Sequence, residues 1–377
     1  MMQYNVNKEM VKPPVEFRAK ARGFSLVELI LALGLGVLVT AGIVQLFVGN
    51  NQTYTLLNGQ SRLQESARYA LDFIGRSART AGYFGCDPED DRIYNTLNGA
   101  WNQLFELDIS TPVQAFNYTG NGTATGINDW TPPLTNLPRQ TGGGSINTFA
   151  NGTGIDLTEV IPNTDILVFR RVEIPGSRIA QLIQPGDDPV VLDDPNVTFQ
   201  VNDFAVINNC EQAALFRVTG VVSAGGETTL TRGTGTGVFE NAIGAGLSEE
   251  GIPYGTAVNG QGSSVGRIIT DIYFIANGAG INNRGDTPRA LWRRSGINAP
   301  VELIEGVRDL QVLFGVDTTP NDNIRAPNRY LNFDALNPTD VVRSIRVTIT
   351  ASTVNVVTDD GNVATRTFSQ TVSIRNS

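Results

Sequence analysis

A stretch of about 25 residues from Phe24 to Val48, built almost wholly from Leu, Val, Ile, Ala, Gly and Phe, most constrains what this chain can fold into. As a helix it is long enough to cross a hydrocarbon core, which takes roughly 20 residues. One charged residue interrupts it, Glu28, close to its start. An ionised carboxylate at that depth costs at least ~2.5 kcal/mol on insertion scales, so it calls for a partner or a role. The alternative is that Glu28 lies near the interface and reaches the headgroups. Five basic residues, Lys8, Lys12, Arg18, Lys20 and Arg22, precede the stretch, with only Glu9 and Glu16 against them. By the positive-inside rule this end stays cytoplasmic and the remainder is exported.

The run Arg22-Gly23-Phe24-Ser25-Leu26-Val27-Glu28-Leu29, with its basic leader and following apolar helix, resembles the class III signal of type IV prepilins and pseudopilins. The resemblance implies a leader at 1–23, cleaved by a prepilin peptidase after Gly23, and N-methylation of the new terminus at Phe24. It also implies that Glu28 pairs with the terminal amine of a neighbouring subunit. A buried charge is tolerated when an opposite charge meets it, so this would supply the missing partner. The leader lacks the apolar core and small-residue cleavage site of an ordinary secretory signal.

Composition narrows the chemistry. The chain has no His and two Cys, and its three Lys all fall in the leader. Removing that leader, with five basic and two acidic residues, takes the formal charge from -9 to -12. Such an acidic chain is poorly suited to broad nucleic-acid binding, which neutralises phosphates with Lys and Arg. Without His, and with no Lys beyond the leader, the exported part can build no Ser-His-Asp triad, Cys-His dyad, Schiff-base lysine or phosphate-loop lysine. Zinc sites of the Cys and His type are also excluded. Paired carboxylates remain available, but no pair is singled out, and neither an enzyme nor a cofactor is expected.

Beyond the apolar stretch, residues 49–82 become amphipathic. Leu56, Gln60, Leu63, Ala67, Ala70, Leu71, Ile74, Ala78 and Ala81 recur at three- and four-residue steps, while Arg62, Glu65, Arg68, Asp72, Arg76 and Arg79 take other faces. The periodicity predicts one helix from Phe24 to about Ala81, roughly 85 Å long at 1.5 Å per residue. Residues 24–48 would form its membrane half and 49–82 its amphipathic half. Gly34, Gly36, Gly42 and Gly49 fit either close helix approach in a membrane or ordinary membrane-helix glycine. Gly82 and Gly85 supply the stop.

The segment ARTAGYFGC at 78–86 is similar to the PilW branch of type IV minor pilins. Later stretches agree in the same order: Asn209 to Ala213, Ile272 to Ile275, Ala290 to Arg293, Glu302 to Val307, Leu310 to Val312, and then Arg366 to Phe368 and Val372 to Asn376. What this implies is an α+β, pilin-like fold in which the long helix packs on an enlarged antiparallel β-sheet domain at 83–377. The family's expected role is to prime pilus polymerisation near the tip. Its implied partners are prepilin peptidase, other minor pilins, the major pilin, a large tip adhesin and the inner membrane. A J-type minor pseudopilin of type II secretion shares the signal, and an anchored periplasmic binding module or enzyme is a third reading.

Cys86 and Cys210 both follow the membrane segment, in an oxidising compartment if that is a periplasm. One disulfide between them is expected, with two buried free thiols as the alternative. Closing so long a loop would stabilise by about 4 to 5 kcal/mol in the chain-entropy model.

The remainder reads as strands. Alternation appears in Arg343 to Ile349, Leu310 to Val316 and Thr367 to Ile374, and buried strands are expected at Asp165 to Arg171, Ala214 to Val222 and Ile268 to Ala276. Gly, Asn, Asp and Pro turns between them predict antiparallel pairing. The composition leaves open whether this is one domain or two lobes. Two Gly, Asn and Thr-rich regions, at about 117–154 and 233–262, are expected to be long surface loops. Gly233 to Gly237 lacks the lysine and strand-to-helix context of a nucleotide loop. The acidic groups Asp87 to Asp91, Asp187-Asp188, Asp193-Asp194 and Asp317 to Asn323 offer oxygen ligands without the spacing of a Ca²⁺ loop, so no metal is expected.

Overall fold

The apolar stretch and its amphipathic continuation fold into one helix, α1, Leu26–Thr80. The computed structural model describes the chain from Gly23 to Ile374 except 86–92, 101–104, 123–125, 135–137, 142–143, 148–154, 174–175, 185, 187–188, 210, 248–252, 256–261, 297, 321–325 and 359–360. The chain divides into two compact units, one ending at Thr55 and the other spanning Leu56–Ser377. The β-rich part is thus one unit, not two lobes. The architecture is α+β.

Helix α1 starts two residues later than expected because Ser25 takes the capping position. Its Oγ accepts the Val27 N–H at 3.3 Å and its carbonyl accepts the Leu29 N–H at 3.1 Å. At the other end the Ala81 N–H still reaches the Ser77 carbonyl, and Gly82 then turns to φ 74°, a left-handed conformation that glycine adopts without a Cβ penalty. The turn lets the Gly82 N–H bond the Arg170 carbonyl and the Tyr83 carbonyl accept the Val172 N–H, tying the helix end to a strand.

Within the second unit, Leu63, Ala67, Ala70, Ile74, Ala78 and Ala81 form the buried stripe that the periodicity predicted, while Gln60 is exposed. The stripe packs against Leu310, Val312 and Phe314 of one sheet and Tyr273 and Ile275 of another. Fully burying Ile74 contributes about 1.5 to 3 kcal/mol. The helix backbone lies near the sheet: a Cβ on Gly75 would sit 3.7 Å from Gln370 in the strand Thr365–Ser373. Ser77 adds a polar tie, its hydroxyl 2.8 Å from that of Tyr273.

The strand Ser264–Asn277 is the spine of the larger, ten-stranded sheet. It pairs antiparallel with Ile166–Val172, Phe204–Asn208, Ser177–Arg178 and Arg289–Ser295. Both of its faces are covered, so it reads as a continuous apolar run. The last part of the chain forms a four-stranded antiparallel sheet in the order Arg329–Leu331, Val307–Asp317, Val341–Ser352 and Thr365–Ser373. Val190–Leu192, Gly220–Ala224 and Glu227–Thr231 make a three-stranded sheet.

Three expectations need correction. Pairing is not uniformly antiparallel, since Ile93–Asn95 runs parallel to Ala213–Arg217. The run Ala214 to Val222 breaks into Ala213–Arg217 and Gly220–Ala224, because Val218 instead exchanges backbone hydrogen bonds with Asn202 and Asp203. Neither supposed surface loop is only surface. Trp130 is fully buried, donates its indole N–H to the Thr164 carbonyl at 3.0 Å and meets Tyr118 edge-on. Leu247 and Tyr254 are likewise buried, in a core shared with Ile207, Phe216 and Leu230.

The two larger sheets are joined through a buried carboxylate. Asp165 accepts the Tyr118 N–H at 3.0 Å, the Val312 N–H at 2.9 Å and the Asn117 side-chain amide at 3.0 Å. Burial pushes its carboxyl up to about 6 although these donors pull the other way. The folded state therefore binds a proton more tightly than the unfolded chain. Its stabilising contribution is full below pH 3.8 and is lost as pH rises through about 6, an effect of up to about 3 kcal/mol. Comparing denaturant midpoints of the native chain and Asp165→Asn at several pH values should show the native chain gaining relative stability as pH falls from 7 to 5. A pH-independent difference would contradict this assignment.

Candidate functional site

The amino-terminal segment is built to be covered by something other than its own chain. From Phe24 to Val48 its large apolar side chains are exposed, Phe24 at 81% and Leu38 at 71%. This helix is long and apolar enough to cross a membrane. Its polar atoms are arranged accordingly, with the Thr40 hydroxyl donating to the Gly36 carbonyl at 2.7 Å. Such back-bonding satisfies a hydroxyl without water. On one face Ala32, Gly36 and Thr40 follow each other at four-residue steps, flanked by Leu29, Leu33, Val37 and Val44. Nothing lies within 4 Å of where a Cβ would stand on Gly34, Gly36, Gly42 or Gly49, so that space is open to a neighbouring helix.

Gly23, Phe24 and Glu28 fall together at the start of this helix, all exposed. Glu28 is in the first turn, where unpaired N–H groups give a partial positive charge that favours a carboxylate. Among the described residues it has no ion-pair partner. The basic residues of the leader lie outside the described residues, as do Cys86 and Cys210. The described chain just before each cysteine comes together: a Cβ on Gly85 would sit 3.0 Å from the side chain of Asn208.

Of the acidic groups, Asp87 to Asp91, Asp187-Asp188 and Asn321 to Asn323 lie outside the described residues. Asp317 is taken up by Arg343 at 3.1 Å and Asp194 caps the Asn196 N–H at 2.8 Å. In the run Gly233 to Gly237, the Gly237 N–H is held by Glu240 at 2.9 Å, an intrachain turn.

Sequence reasoning missed a set of charges inside the β unit. Arg294 is fully buried with Glu106 at 3.3 Å, and Arg171 meets the buried Asp271 at 3.1 Å. Arg170 is also fully buried; it donates to the Phe105 and Thr111 carbonyls and to Gln114, and burial pushes its guanidinium down to about 10. Charges standing within apolar strand runs, Asp271 in ITDIYF and Arg170 in LVFRR, were the available signal.

Fold and site together define a protein with one membrane-length apolar helix leading into a large, mainly β unit. The family model described as Type IV Pilus-assembly protein W matches residues 272–369. That span covers most of the spine strand's second half, the hairpin of Arg289–Ser295 with Val301–Glu305, and nearly all of the four-stranded sheet on which α1 packs. No curated protein and no solved structure matches the chain.

Proposed function

We propose that this chain is a minor pilin that primes type IV pilus assembly and remains in the tip complex. Leader cleavage after Gly23 and methylation of Phe24 would precede incorporation. The observation that carries the reading is the pilus-assembly family match at 272–369, on a chain that carries GFSLVEL at 23–29 at the start of an exposed apolar helix. The helix holds the protein in the inner membrane with the β unit in the periplasm. During assembly it bundles with other minor pilins and the major pilin, using its small-residue face. Glu28 attracts the terminal amine of a neighbour, and the β unit lies toward the adhesin end.

A disulfide between Cys86 and Cys210 belongs to this proposal, supported by the contact between Gly85 and Asn208. It would fasten the end of α1 to the middle of the chain in a fibre that bears force.

The intact mass of membrane-extracted protein, with and without prepilin peptidase, tests the reading. The expected product begins at N-methylated Phe24 only when the peptidase is present, and takes up no thiol-alkylating reagent before reduction. An unprocessed leader in both strains would overturn it. Alkylation of both thiols without reduction would remove the disulfide alone.

A further inference from the structure

Two arginines meet in one small cleft of the β unit. Arg289 opens the strand Arg289–Ser295 and Arg308 is the second residue of Val307–Asp317. Both are half-buried, and both line a cleft of about 280 Å³ whose other walls include Asn282, Asp286, Ser352 and Asn362. Its rim is held in place from both sides. The Asn283 N–H bonds Asn355 Oδ1 at 2.9 Å, Asn283 Nδ2 bonds the Val356 carbonyl at 3.1 Å, and the Val356 N–H bonds Asn283 Oδ1 at 3.0 Å. A cleft fixed in this way loses little entropy when it is filled.

Among the described residues the guanidinium groups have donors to spare. Arg289 directs one Nη1–H to the Arg308 carbonyl at 3.2 Å. The Arg308 side chain has no hydrogen bond or ion pair among the described residues. Burial pushes the Arg289 guanidinium down, Arg308 adds to the effect and Asp309 opposes it. Like charges are thus held together in a chain with a formal charge of -9, with donors unused among the described residues. Asp286 on the wall takes the Asn282 amide at 3.4 Å. Its negative charge disfavours a doubly charged ligand and leaves room for a single one.

We propose that the cleft between Arg289 and Arg308 is a recognition site for a single carboxylate, gripped by the two guanidinium groups. The planar fork of Arg308 suits both oxygens of such a group, and Arg289 supplies a second charge. The ligand is either a free small carboxylate or the carboxylate of an aspartate presented by another protein.

Thermal unfolding of the full chain in detergent tests this, with chloride replaced at constant ionic strength by about 100 mM acetate, phosphate or the capped peptide acetyl-Gly-Asp-Gly-amide. Acetate should raise the Tm of the native chain by about 2 to 3 °C, and phosphate by less. Arg308→Gln should lose the shift. Arg366→Gln, the same charge change on an exposed strand, should keep it. Arg308→Lys retains charge without the fork and should lose most of the shift, which provides the readout if Arg308→Gln does not fold. A peptide effect at a lower concentration than acetate assigns the ligand to a protein side chain, and equal concentrations assign it to a free carboxylate. No acetate shift in the native chain, an equal shift in Arg308→Gln, or a larger shift with phosphate would each overturn the proposal.

Discussion

Glu28→Leu is expected to enter the membrane like the native chain and to leave cells with few or no pili. The substitution removes a carboxylate that costs at least ~2.5 kcal/mol to insert, so anchoring should not suffer. What it takes away is the proposed partner for a neighbouring subunit's terminal amine. Leaving one member of a buried pair unmatched costs about 3 to 5 kcal/mol, enough to weaken subunit association by about 100-fold or more. Carbonate extraction of membranes should show equal retention of both proteins, while counts of surface pili fall. Equal pili in the mutant would count against the assembly role. An anchored periplasmic protein would tolerate the change, since its helix need only hold the membrane.

The largest expected loss of stability comes from Arg294→Leu. Arg294 is fully exposed to neither solvent nor loop: it is buried on the strand Arg289–Ser295, 3.3 Å from Glu106, whose own carbonyl accepts the Thr270 hydroxyl at 2.8 Å. Removing the guanidinium takes the ion-pair partner at 3.3 Å from a buried carboxylate, at a cost of about 3 to 5 kcal/mol. The double variant Arg294→Leu with Glu106→Leu should recover most of that loss, since two apolar groups leave no charge to desolvate. Urea midpoints of the native, single and double variants measure both effects. A double variant as unstable as Arg294→Leu alone would show that the arginine acts through packing and not through its charge.

Much of the helix was legible because one sequence pattern fixes one physical outcome. Glu28 stood out as the one charge in a largely apolar stretch, and the buried stripe from Leu63 to Ala81 followed from a 3.6-residue period. Strands with alternating or continuous apolar character were also readable, as Val341–Ser352 and Ser264–Asn277 show. The regions rich in Gly, Asn and Thr misled because composition reports average polarity, while a single Trp130 or Tyr254 is enough to anchor a loop in a core. Likewise, the cysteine pairing rested on there being two cysteines, while the approach of Gly85 to Asn208 is visible only in the folded chain.

The sequence by itself determined the membrane-length helix, its glycine stop, the absence of His, and the location of the main strands. Those depend on neighbours along the chain, whose spacing is fixed by helix and strand geometry. Tertiary structure alone decided the parallel pairing of Ile93–Asn95, the joining of two sheets through Asp165, the buried Arg294 and Glu106 pair and the convergence of Arg289 with Arg308. The first three join segments far apart in the chain, and the last brings together two strands whose arginines are 19 residues apart. Whether a charge is buried, paired or left open is set by which distant segment supplies the opposing atoms, and no local period encodes that.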